Sequence, residues 1–147
     1  MITTSIGGEQ SEQGAERFKQ DVLPHRPDLL FIDYSLNDRG IGLARAHRAW
    51  DKMIRMARQH DIPVILLTPS PDMKVDLLAE DSVLQPHTDR VRALAARHGI
   101  GLADSYAALQ RTVAKGTSLR DLIAQGNHPN AAGHRLIANL LFSYFEE

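Results

Sequence analysis

Two short runs of apolar residues, Leu29-Leu30-Phe31-Ile32 and Val64-Ile65-Leu66-Leu67, constrain most strongly what this chain can fold into. Neither alternates apolar with polar residues, as a strand with one wet face would. A strand that is apolar on both faces must be covered on both, which is the situation of a parallel sheet between helical layers. A third, shorter run, Ile100-Gly101-Leu102-Ala103-Asp104, has the same character. Parallel neighbours need long crossovers, and helical periodicity fills the intervals. Leu43, Ala46, Trp50, Met53, Ile54 and Ala57 recur at helical spacing between about Leu43 and His60, while Arg45, Arg48, Lys52, Arg55 and Arg58 fall elsewhere on the helix.

The remaining elements follow the same alternation. Ser11 can cap a helix from Glu12 to Leu23, which Pro24 and Pro27 stop before a strand over Asp28 to Tyr34. After the strand Pro63 to Thr68 comes an irregular stretch to Leu84. A helix follows from Pro86 to His98, with Val91, Leu94 and Ala95 inward and Gly99 at its end. Two short helices are expected at Ser105 to Ala114 and Ser118 to Ala124. A loop, Gln125 to Pro129, then precedes a last helix from Asn130 to Phe145. The expectation is one α/β domain over residues 1–147, with a mostly parallel sheet.

Composition narrows the function. Seventeen Lys and Arg against eighteen Asp and Glu leave a net charge of −1, without the basic excess of a nucleic-acid binder. With no cysteine, disulfide scaffolds, thiolate metal sites and cysteine nucleophiles are excluded. The seven histidines show no metal-ligand spacing. No apolar run approaches the roughly 20 residues of a membrane span, and residues 1–8 do not read as a secretory signal, so a cytoplasmic protein is the expectation.

In open parallel sheets ligands bind beyond the carboxyl ends of the strands. Those ends deliver Ser35, Asn37 and Asp38, then Thr68 and Ser70, then Asp104 and Ser105, with the Asn127-His128 loop placed to join them. The Asn37 amide can donate into a site, and Asp38 can tie down its turn. His128, held at a corner by Pro129 and an Asn130 cap, is suited to proton transfer. Gly7-Gly8 allows a tight turn with outward N–H groups that can hold an oxyanion. Taken singly, each is more readily read as turn chemistry or a surface histidine.

Together they carry more. Ile6-Gly7-Gly8, Pro27-Asp28-Leu29-Leu30-Phe31-Ile32 running into Asn37-Asp38, and His128-Pro129-Asn130-Ala131-Ala132-Gly133-His134 resemble, in order and spacing, the SGNH/GDSL family of serine hydrolases. The resemblance covers essentially the whole chain. It implies a flavodoxin-like three-layer α/β/α fold, hydrolysis of small-molecule esters or thioesters, and no metal or organic cofactor. By it Gly8 and Asn37 are oxyanion donors and His128 the general base; the strand-end placement makes Asp38, Ser35, Ser70 and Asn127 the residues expected to line the substrate site. Ser35 stands where the family usually has glycine.

Two departures accompany the match. The family's nucleophile lies in a Gly-Asp-Ser block at the end of a first strand, and the sequence contains no Gly-Asp-Ser. The acid that usually orients the histidine is replaced by Gln125, leaving Asp121 or a backbone carbonyl as orienter. Ser5, Ser11, Ser35 and Ser70 are the serines near the expected site. Because the family's first strand is central in its sheet, its absence leaves three arrangements: a longer chain, pairing of Ile2–Ile6 directly with Asp28–Tyr34, or homo-oligomerisation through the open sheet edge. Two other readings are an inactive relative that binds an acyl or sugar ligand or a protein partner, and an unrelated flavodoxin-like binding domain.

Overall fold

The computed structural model describes residues 1–146. Three strands, β1 (Leu30–Ile32), β2 (Val64–Leu67) and β3 (Gly101–Ala103), form a parallel sheet in the order β1-β2-β3. The register pairs Phe31 with Ile65 and Leu66 with Leu102. The helices are α1 (Ser11–Asp21), α2 (Leu43–Arg58), α3 (Gln85–His98), α4 (Ser105–Ala114) and α5 (Ala131–Phe142).

The two-faced apolarity of the strands is used as expected. Ile32, Val64 and Leu66 pack into one core with Phe18 of α1, Trp50, Met53 and Ile54 of α2, and Val91 and Leu94 of α3. Ile65, Leu67 and Ala103 face the opposite layer, where Ile137, Leu140 and Leu141 of α5 cover them. This is the three-layer α/β/α arrangement. Successive crossovers running in one direction across the sheet put α2 and α3 on the same face. A third cluster, Leu77, Leu84, Tyr106, Leu109 and Leu122, fixes the 69–84 segment against α4.

Several boundaries differ from the sequence reading. Gln10, not Ser11, is the N-cap of α1, in a capping box with Gln13. Ser11 is the first helical residue and is fully buried. The expected helix at Ser118–Ala124 is a single 3₁₀ turn, Leu119–Asp121, followed by a strand, β4 (Ile123–Gln125). β4 pairs antiparallel with β5 (His128–Pro129), so the expected loop is a hairpin with Gly126 at φ +56° in its turn. Leu119, Leu122 and Ile123 have helical spacing, but a 3₁₀ turn running into a strand also brings Leu122 and Ile123 inward. The last helix ends at Phe142 rather than Phe145. Ile2–Ile6 forms no strand, so pairing with Asp28–Tyr34, one of the three arrangements considered, is absent.

Between that N-terminal segment and β1 lies a cleft of about 220 Å³. Its walls are polar and apolar in about equal measure, with Phe18, Val22, Leu30, Ile32 and Met53 on one side; Thr4, Ser5 and Ile6 form another, and Asp33 and Asn37 lie at the strand's end. β1 is therefore an edge strand that faces open space, with Phe31 39% exposed.

Candidate active site

Asn37 begins a one-turn 3₁₀ helix, Asn37–Gly40, just beyond β1. Its Nδ2 donates to the backbone oxygen of Glu9 at 2.9 Å, and the Gln10 side chain donates back to the Asn37 carbonyl at 3.4 Å. The Gly7-Gly8 turn, with Gly8 at φ +75°, is thus joined directly to the Asn37 turn. One amide hydrogen of Asn37 fixes the plane of the group, leaving the second to offer a ligand. An added Cβ on Gly8 would meet no atom within 4 Å, so the turn lies open.

Asp38 organises this junction from below. It is fully buried. Its carboxylate accepts from the Ser11 N–H at 2.8 Å, from Trp50 Nε1 at 2.7 Å and from Arg90 Nη2 at 3.4 Å. The Ser11 bond ties the start of α1, and with it the glycine turn, to the strand end. The Arg90 guanidinium sits over the Trp50 ring, 4.9 Å from its centroid, and burial pushes it down to about 10 against the pull of Asp38. Ser35 is equally buried and donates to the Leu67 carbonyl at 3.3 Å, binding the end of β1 to that of β2. Asp38 and Ser35, both expected to line the substrate site, are instead turned inward because backbone groups and the indole claim their oxygens.

A second network braces the glycine turn. Glu9 is buried and takes two short bonds from Arg17, at 2.6 Å each, and one from the Tyr34 hydroxyl at 3.1 Å. The Arg17 hydrogen bond, its largest influence, holds the Glu9 carboxyl below its ordinary range despite burial. Arg17 also donates to the Thr4 carbonyl at 2.7 Å. Tyr34 reaches Glu9 across α1 because position 14 is glycine; a Cβ there would collide with the tyrosine ring and hydroxyl. Burial, the main cause, pushes the Tyr34 hydroxyl up to about 12, so it acts as a fixed donor. Asp33 is exposed at the mouth of the cleft, at the end of β1, and accepts a backbone bond from Ser35.

The strand ends after β2 and β3 are closed to ligands. Thr68 Oγ1 donates to Asp104 at 3.1 Å and receives the Tyr106 N–H at 2.9 Å, and Ser105 Oγ donates to the Thr68 carbonyl at 2.6 Å. Asp104 also caps α4 and pairs with Arg92 at 2.8 Å. Ser70, further along, is half-buried.

His128 is exposed on β5, opposite Gln125 of β4, and Asn127 is half-buried beside it in the hairpin turn. Asn130 caps α5 as expected, accepting from Ala132 and Gly133, and its amide also donates to the Asp121 carbonyl at 2.9 Å. Among the described residues no side chain hydrogen-bonds the imidazole, Gln125 and Asp121 included. The hairpin tip is held by Met73, whose N–H donates to the Gly126 carbonyl at 2.9 Å. The next residue back, Asp72, pairs with Arg39 from the Asn37 turn at 2.9 Å. Arg39 and Asp72 were not singled out in the sequence; the one local cue is that Arg39 directly follows Asn37-Asp38.

Residues 1–136 match the family model of the GDSL-like Lipase/Acylhydrolase family. The chain belongs to that family. Solved structures agree in fold. An acetylxylan esterase from Geobacillus stearothermophilus superposes with a TM-score of 0.86 at 18% identity, over 99% of this chain and 72% of the other. A GDSL-like lipase from Parabacteroides merdae gives 0.80 at 17% identity, over 92% and 68%. An α/β hydrolase from the metagenome of Lake Arreo, Spain, gives 0.76 at 24%, over 92% and 67%. No curated protein matches the sequence.

Proposed function

We propose that this GDSL-family chain carries the charge-stabilising and proton-transfer half of an ester-hydrolysing site. The Gly8 N–H and the free hydrogen of the Asn37 amide would bind the oxyanion of the tetrahedral intermediate, and His128 would take the proton of an attacking hydroxyl. The observation that carries this reading is the Asn37–Glu9 bond at 2.9 Å, which preorganises two donors from segments 28 residues apart in sequence. The attacking hydroxyl would come from a serine at the end of a strand laid in the cleft along β1, where the family's Gly-Asp-Ser strand lies by the sequence resemblance. The substrate class suggested by the similar acetylxylan esterase is a short acyl ester of a carbohydrate. This reading treats residues 1–147 as one domain.

A second reading, a binding site without turnover, is favoured by one observation. Ser11 and Ser35, two of the serines nearest the site, are fully buried, and Ser35 is already bonded to Leu67.

The test is hydrolysis of p-nitrophenyl acetate and labelling by a fluorophosphonate. The chain alone, and the chain preceded by a relative's strand–Gly-Asp-Ser–helix segment, would be assayed side by side. Turnover in the second, with little in the first, supports the hydrolase reading. A well-folded, inactive fusion that still binds acetylated sugars leaves the binding reading standing.

A further inference from the structure

We propose that Arg39 and Asp72 are positioning residues, whose ion pair carries the placement of the Asn37 turn to the hairpin that bears His128. The proposal rests on reading the site as an ester-hydrolysing one, since it assigns the pair to aligning the base with the oxyanion donor.

A chain of hydrogen bonds leads from one segment to the other. Arg39 lies within the 3₁₀ turn that Asn37 opens; its Nε donates to the Leu36 carbonyl at 3.1 Å and its Nη1 to Asp72 Oδ2 at 2.9 Å. The guanidinium is thus fixed at both ends. The Asp72 side chain is nine-tenths buried. Its other oxygen accepts from the Lys74 N–H at 2.9 Å, and its carbonyl accepts from the Val75 N–H at 2.9 Å. Those two bonds close a turn around Met73, whose own N–H points out to the Gly126 carbonyl at 2.9 Å. Gly126, at φ +56°, is two residues before His128.

The hairpin has reason to need such a strut. β5 has two residues, and the pairing with β4 is irregular between Ile123 and Gln125. Catalytic geometry tolerates little displacement of a base from its partner groups. The Arg39–Asp72 pair is also unlike an ordinary surface ion pair, which contributes little. Burial of Asp72 would raise its carboxyl, but the Lys74 N–H and the Arg39 guanidinium outweigh that and hold it below the usual carboxylate range.

The experiment uses Arg39→Gln, Asp72→Asn and the double variant, with Arg39→Lys as a rescue. Asn at position 72 keeps an oxygen for the Lys74 N–H, so the local turn survives while the ion pair is lost. Two signals are read by NMR: the ring resonances of His128 and hydrogen exchange at the Met73 amide. The expected result is that each single change moves the His128 ring signals and speeds Met73 exchange about tenfold. The double variant moves them no further, and Arg39→Lys restores part of the effect. His128 and Met73 signals that stay at their wild-type values in either single variant would overturn the proposal. So would an effect of Asp72→Asn with none from Arg39→Gln.

The same substitutions in the serine-bearing fusion should lower kcat while KM holds. A fusion without turnover would sink the hydrolase reading, whereas the NMR result decides the strut on its own.

Discussion

Asp38 bears more of this structure than its place in a turn suggests. Its carboxylate is the meeting point of α1 through Ser11, α2 through Trp50 and α3 through Arg90. Removing it leaves a buried guanidinium and an indole N–H without their acceptor. Asp38→Ala should therefore cost about 3–5 kcal/mol in urea unfolding, the usual penalty for breaking a buried charged pair. The sequence identified Asp38 as a turn anchor, but its partners lie 27, 12 and 52 residues away, and no local pattern announces them.

At the scale of elements, the strands and main helices were legible because their chemistry is local. β2 is buried at all four residues, as its unbroken apolar run demands, and α2 buries six of the residues 46–57 besides Trp50. The hairpin β4–β5 was not legible, because helical spacing at Leu119, Leu122 and Ile123 imitates the inward face of a helix. The start of α5 was legible, since Asn130 accepts from two N–H groups of the first turn through its side chain. That cap also reaches the Asp121 carbonyl, so it couples the hairpin to α5. Asn130→Ala should cost about 1 kcal/mol in stability, the common worth of such a cap. Because the cap holds the hairpin's base, the loss should also appear as faster amide exchange in α5's first turn. Unchanged exchange there would mean that packing, not the cap, fixes the helix.

At the scale of the whole molecule, the cleft along β1 dominates. Three parallel strands with one apolar edge facing open space are a surface that invites association. Concentration-dependent association is therefore expected in analytical ultracentrifugation of residues 1–147, and a highly stable, monodisperse monomer would count against it. The motif order made the family legible, and the matching of residues 1–136 to the GDSL-like family agrees with it. What the motifs could not convey was how Gly8 and Asn37 come to be joined. That depends on a carbonyl, Glu9 O, and on a buried carboxylate, and neither leaves a mark in sequence spacing. The most direct test of the central claim is a crystal structure of the serine-bearing fusion after reaction with a fluorophosphonate. The phosphonyl oxygen is expected within hydrogen-bond distance of the Gly8 N–H and Asn37 Nδ2, with the His128 imidazole beside the modified serine. An adduct whose oxygen points away from Gly8 and Asn37, or a His128 out of reach of it, would contradict the account.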